Sequence, residues 1–131
     1  MDTIKIVCRA LVMDDQKRAL FVKKTGSDFW SLPGGMLNTD DTSVQVCLIR
    51  ELQEELGVEA EINDIRFVHE LHKASVRYVE LIWHVSLASD PMQTQEDIYT
   101  TSGGELSDMQ WIAMGDLSSA NIKPEFLKNI T

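Results

Sequence analysis

Residues 34–58, GGMLNTDDTSVQVCLIRELQEELGV, place a glycine pair and a polar loop ahead of a helix that ends in a cluster of carboxylates. The stretch carries its own helix boundaries. Asp40, Asp41, Thr42 and Ser43 all have side chains that accept from a free backbone N–H at a helix start. Gly57 stands where a chain leaves a helix through the left-handed conformation. A helix is therefore predicted over residues 43–56, with Ile49, Leu52 and Leu56 on one buried stripe. Glu51, Glu54 and Glu55 recur at i, i+3 and i+4, which places them on another arc about 100° wide. Like charges at this spacing repel by a few tenths of a kcal/mol, and acids in the last turn oppose the helix dipole. Both costs ask for a cation nearby. Arg50 is adjacent, and a hard divalent ion, Mg²⁺ or alternatively Mn²⁺, suits clustered carboxylate oxygens better. A solvated acidic helix face has the same composition, so the helix alone does not decide.

The upstream glycines do. From Gly35 to Val58 the sequence resembles the box of the Nudix hydrolase family, G-x5-E-x7-R-E-U-x-E-E-x-G-U, in which U is a bulky aliphatic residue. Arg50, Glu51, Leu52, Glu54, Glu55, Gly57 and Val58 match every defined position of its second half, and Leu32-Pro33-Gly34-Gly35 is the family's usual lead-in. The first half departs from the pattern. Counted back from Arg50 the box's first glutamate falls on Thr42, and counted forward from Gly35 it falls on Asp41. The segment is one residue longer than the pattern, an insertion that a loop absorbs while a helix keeps its register.

The resemblance implies an α/β Nudix fold, a mixed sheet sandwiched between helices, in one domain over residues 1–131. It implies a hydrolase that cleaves a nucleoside diphosphate linked to another group, (deoxy)nucleoside triphosphates and their oxidised purine forms included. Glu51, Glu54 and Glu55 would then ligate Mg²⁺, the Gly35 carbonyl would complete the shell, and Arg50 would orient the glutamates, with Glu51 the first choice as general base. Gly34 and Gly35 would let a diphosphate approach the backbone where no side chain intervenes. Glu105, six residues before Trp111, resembles an additional metal-binding glutamate of MutT-type members, and reads equally as a solvated loop acid; Glu96 and Asp97 are weaker rivals. Asn121 resembles an asparagine that holds a purine, and its other reading is a helix cap. Trp30 is the best stacking candidate of Trp30, Trp83 and Trp111, each of which also suits core packing. An ADP-ribose or nucleotide-sugar pyrophosphatase is an alternative, although the proline that marks ADP-ribose hydrolases is not at its position, nor is the tyrosine that marks dinucleoside polyphosphate hydrolases. A regulatory or nucleotide-binding domain without turnover is another: the lost first glutamate favours it, and the intact, mutually repelling carboxylates oppose it. Relatives that dimerise make a homodimer compatible with the resemblance.

Composition narrows the partners. With 12 Lys and Arg against 21 Asp and Glu, the formal charge is −9, which disfavours nucleic acid polymers, whose affinity rests on neutralised phosphates. A small nucleotide delivered with its metal is compatible. No stretch approaches the roughly 18 apolar residues of a membrane span, and no signal peptide is expected. Cys8 and Cys47 read as buried free thiols of a cytoplasmic protein.

Along the chain, residues 4–13 read as a buried strand with RALFVKK (18–24) as its hairpin partner, and Phe29 to Leu32 as a short strand ended by Pro33. VEAEINDIRFVHELHK reads as a bent strand with Ile62, Ile65, Phe67 and Leu71 inward. Residues 77–89 alternate, with Val79, Leu81, Trp83, Val85 and Leu87 on the core face and Tyr78, Glu80, Ile82 and His84 on the other. Residues 90–104 read as a flexible binding or catalytic loop. A strand over 109–114, a turn at Gly115 and a terminal helix opened by Pro124 follow. His69, His72 and His84 show no ligand spacing.

Overall fold

The structure, a computed structural model, describes residues 3–130. Six strands, β1 (Thr3–Leu11), β2 (Arg18–Lys24), β3 (Gly34–Met36), β4 (Ala60–Lys73), β5 (Val76–Leu87) and β6 (Leu106–Ala113), alternate with two helices, α1 (Val44–Leu56) and α2 (Gln95–Thr101). Two 3₁₀ turns, Met114–Ser119 and Glu125–Asn129, close the chain. The main sheet runs β3-β1-β5-β4, and β2 and β6 form a second, two-stranded sheet. β1 and β5 are parallel; the other pairs are antiparallel.

Successive residues of a strand point to opposite faces, and here both faces are buried. Cys8, Ala10, Leu20, Val22, Trp83 and Val85 pack with Cys47, Leu48, Leu52 and Leu56 of α1 and Ile98 of α2. Leu11, Phe21, Ile82 and Ile112 point the other way, against Leu117 and Leu127 of the 3₁₀ turns and Ile122 between them. That is the sandwiched mixed sheet the sequence pointed to, and it corrects the expectation of a single core face on β5. A strand covered on both sides reads as a continuous apolar run, as residues 19–22 do, and residues 6–12 but for Arg9.

Helix α1 matches its forecast closely. Ser43 is the N-cap, its hydroxyl accepting from Val46 N at 3.1 Å, and Gly57 leaves at φ 67°. Its buried side is Cys47, Leu48, Leu52, Glu55 and Leu56; Ile49, expected inward, is 39% exposed. Each buried leucine stabilises the fold by about 1.5–3 kcal/mol, far more than the few tenths lost to carboxylate repulsion. The helix therefore tolerates its acidic end.

Other expectations change because pairing is non-local. RALFVKK starts as a hairpin, with Leu20 N donating to Val12 O at 3.0 Å, but β2 then pairs along its length with β6. Trp30 and Ser31 make isolated bridges to Ile122 and Val22 in place of a strand. The bends of β4 are register shifts at Ile62/Ile65 and Ile65/Phe67; they leave Ile65 and Leu71 exposed, while Ile62 and Phe67 face the two cores. Residues 95–101, placed in a loop by sequence, form α2, capped by Thr94 and anchored by buried Ile98. Among the described residues no helix is long and apolar enough to cross a membrane.

Candidate active site

The glycine pair forms β3, a three-residue edge strand laid against β1 with Arg9 opposite Gly34 and Cys8 opposite Gly35. Behind it runs α1, so the acidic arc of the helix faces the backbone of the glycines. Gly34 N–H donates to Glu55 Oε1 at 2.8 Å. Gly35 borders Glu51: a Cβ on it would lie 2.4–2.6 Å from the Glu51 carboxylate. Only glycine lets that acid lie this close to the strand.

Arg50 gathers the remaining charge. Its Nε and Nη2 hold Asp41 through both carboxylate oxygens at 2.9 and 3.0 Å, its Nη1 reaches Glu51 at 3.0 Å and Glu54 at 3.2 Å, and Nη2 also donates to Met36 O at 3.4 Å. The fork geometry of a guanidinium suits this two-point hold. Asp41 is therefore the loop acid that reaches Arg50, its second oxygen also accepting from Asn38 N at 2.8 Å. Thr42 is exposed, and the additional residue falls between Asp41 and the helix. The Arg50 guanidinium holds the Asp41 carboxyl down to about 2, and the three acids raise Arg50 in return.

Burial dominates the other acids. Glu55 is 3% exposed, and desolvation pushes its carboxyl up to about 8 against the pull of Gly34 N–H and the charges of Arg9 and Lys24. Glu51 is raised for the same reason, with Arg50 opposing and Glu54 and Glu105 adding to the rise. The Glu105 charge thus acts on Glu51 from the loop after α2, where its carbonyl accepts from Thr25 N at 2.9 Å. Cys47, whose Sγ lies 3.9 Å from Gly35 O, is pushed up to about 12 by burial and by Cys8, and Cys8 is raised by burial too; both are inert free thiols.

The Glu55 shift fixes a pH dependence. In the unfolded chain Glu55 ionises near its ordinary 4.5; folded, it keeps its proton to about 8. Between those values the folded state binds more protons, so stability falls as pH rises and levels off above pH 8. Asp41 acts oppositely, but only where pH falls from 3.8 toward 2. Without divalent ions, the melting temperature is expected to drop by about 5–10 °C between pH 5 and 8. In Glu55→Gln most of that slope should be gone, the raised Glu51 leaving a smaller fall of the same sign; an equally steep curve would show that Glu55 is not the group responsible.

In front of β3 the fold opens into two adjoining clefts of about 350 and 610 Å³. They share Arg9, Lys24, Leu71, Lys73 and Glu80; the first reaches Gly35, the second runs on to Phe29, His69, Lys123 and Phe126. Together they have the size of a small-molecule site and, on an acidic protein, a cationic lining. Trp30 and Asn121 lie side by side, Trp30 N donating to Asn121 O at 2.8 Å, but neither lines these clefts. The Trp30 ring packs on the second core under the Lys23 ammonium, 4.5 Å from its centroid, and Asn121 Nδ2 ties Asp28 O at 2.8 Å. The cleft residues carry no motif. Arg9 within an apolar strand was a signal in the sequence; Glu80 was not, since it stood on the face of β5 opposite the expected core.

Among the described residues no three His, Cys, Asp or Glu side chains form a ready-made metal cage; Arg50 lies between Glu51 and Glu54 instead. A family model described as NUDIX domain matches residues 4–130. A CTP pyrophosphohydrolase of Escherichia coli (strain K12) is 33% identical over 100 residues, 73% of this chain and 72% of that protein. An 8-oxo-dGTP diphosphatase of Proteus vulgaris is 38% identical over 64 residues, 45% of this chain; the match spans little more than half, 56%, of that protein. The crystal structure of a MutT NUDIX hydrolase from Burkholderia pseudomallei shares the fold at a TM-score of 0.80 and 21% identity, covering 99% of this chain and 100% of that one.

Proposed function

The chain belongs to the NUDIX family, whose members act as hydrolases on acid anhydrides, and from that membership we propose a metal-dependent enzyme that cleaves the diphosphate linkage of a nucleotide, a nucleoside triphosphate first. The observation that carries this reading is Glu51, held at the open face of Gly35 with Glu54, Glu55 and Arg50 around it. The donor set fits a hard cation: all its atoms are oxygens, and the missing Cβ of Gly35 is what lets the Glu51 carboxylate lie against the backbone that carries the Gly35 carbonyl. Glu51, Glu54, Glu55, the Gly35 carbonyl and Glu105 would hold Mg²⁺, or Mn²⁺ in its place. Bound there, it would supply charge neutralisation at the diphosphate and a more acidic water.

The chain's own groups do the rest. Glu51, its affinity for a proton raised by burial, takes the proton from water as that water attacks phosphorus, and the bridging P–O bond breaks with its electron pair leaving on the departing phosphate or pyrophosphate. Arg50 fixes the rotamers of Glu51 and Glu54 and offsets their repulsion. Arg9 and Lys24, whose charges already reach Glu55, face the phosphates from the cleft. Both thiols being free, a reducing cytoplasm suits the molecule.

The test is release of phosphate or pyrophosphate from a panel with CTP and 8-oxo-dGTP first, then other triphosphates, ADP-ribose and nucleotide sugars. Turnover that vanishes with EDTA is expected. Glu54→Gln, at a side chain 58% exposed, should lose about a hundredfold in kcat with an unchanged circular dichroism spectrum. A folded protein that binds nucleotides and turns over none would be a binding domain.

A further inference from the structure

Arg9, Glu80 and His69 link the far end of the cleft to the glycine pair. Glu80 is 6% exposed and both its oxygens are engaged: Oε2 accepts from Arg9 Nε at 3.2 Å, and Oε1 meets His69 Nδ1 at 3.1 Å. Arg9 Nη1 in turn donates to Leu32 O at 3.0 Å, two residues before Gly34. The His69 ring lies on Phe126, centroids 4.6 Å apart and planes at 31°. His69 and Phe126 line the same cleft as Phe29, which carries the Lys123 ammonium 4.9 Å from its ring centroid.

This arrangement fixes a tautomer. A carboxylate only accepts, so the hydrogen of the neutral His69 ring sits on Nδ1 and the lone pair on Nε2. Among the described residues Nε2 has no hydrogen-bond partner, the bond of His69 being made through Nδ1. Building on the nucleotide reading above, we infer that the substrate's base lies in this aromatic end of the cleft and that His69 is a specificity-determining residue. Its Nε2 accepts from an exocyclic amino group, favouring cytosine over uracil and adenine over hypoxanthine. Those pairs differ, at that edge, in an amino group against a carbonyl oxygen, which an acceptor repels. Glu80 is the positioning residue that holds the tautomer.

Glu80→Gln tests the point sharply. Arg9 presents only donors, so the amide oxygen must face Arg9 and the amide nitrogen must face His69. The amide then donates to Nδ1, the ring hydrogen moves to Nε2, and the preference turns toward the carbonyl-bearing base.

The experiment titrates CMP and UMP, then AMP and IMP, calorimetrically in EDTA, and measures kcat and KM for the matching triphosphates with Mg²⁺. The unaltered protein should favour CMP and AMP about tenfold, the worth of one hydrogen bond. His69→Phe, which keeps a ring on Phe126, should bind both members of each pair alike, and Glu80→Gln should reverse the order, mainly in KM with kcat retained. Equal binding by the unaltered protein, or a preference that survives in His69→Phe, overturns the inference. Thermal melts check that each variant is folded, and His69→Phe, at a half-buried position, decides alone if Glu80→Gln unfolds. Base discrimination without turnover of any triphosphate would sink the hydrolase reading and leave this one standing; turnover without discrimination would do the reverse.

Discussion

Glu51→Gln is expected to lower kcat about a thousandfold while the melting temperature stays the same or rises slightly. The loss follows from chemistry. An amide of the same shape cannot take a proton from water, and general-base contributions run to about 10²–10⁴. The retained stability follows from the contacts. Arg50 Nη1 donates to Glu51 Oε1 at 3.0 Å, a bond that a glutamine oxygen can accept. The substitution also removes the repulsion among Glu51, Glu54 and Glu105 and the cost of ionising a buried group. Stopped assays at saturating substrate, beside a thermal melt, separate the two effects. If Glu51→Gln turns over normally, the base lies elsewhere and Glu105 becomes the next candidate. If it both melts early and loses activity, the carboxylate is structural and the assigned role fails.

How far the chain could be read beforehand follows the range of each interaction. Helix α1 was legible because its boundaries are local: Ser43 bonds Val46 three residues on, and Gly57 alone ends it. The carboxylate arc was legible because helical geometry turns spacing into position, and the family resemblance then supplied roles that spacing cannot. The loop ahead of the helix was ambiguous by one residue, since Asp41 and Thr42 satisfy the count equally. Only the reach of Arg50 in space separates them. The partner of β2 was unreadable for a similar reason: its turn predicts a hairpin, but its register is set by β6, nearly ninety positions away. Helix α2, seven residues long, offers too few turns for a period and depends on burial of one side chain, Ile98. The Arg9–Glu80 contact joins residues 71 apart in sequence. Alternation along β5 put Glu80 on the opposite face from Trp83, but the face expected to be solvated is buried. The parts of the site that matter most for selectivity are therefore those that sequence shows least.

Gly34→Ala should be the most damaging single methyl in the chain. A Cβ there would lie 2.0 Å from the Cys8 carbonyl oxygen and 2.9 Å from Arg9 Cα, and the residue's φ is +142°, which L side chains rarely adopt. The obstacle is the backbone of β1, paired along its length with β5 and fully buried at Cys8, so it cannot yield as a flexible side chain would. Moving β3 away instead breaks the Gly34 N–H bond to Glu55, leaving a buried acid without its backbone donor. Together these should cost about 3 kcal/mol or more, a drop in melting temperature of about 10 °C. Activity should fall further than stability, because β3 also sets Gly35 against Glu51. Two other glycines separate strain from crowding. Gly26→Ala shares a positive φ but meets nothing within 4 Å and should lose only about 1 kcal/mol; Gly115→Ala has neither problem and should be neutral. Thermal melts of the three variants test the order. A Gly34→Ala protein as stable as Gly26→Ala would mean that β3 can leave β1 at little cost, and the fixed geometry between the glycine pair and the carboxylates would no longer explain catalysis.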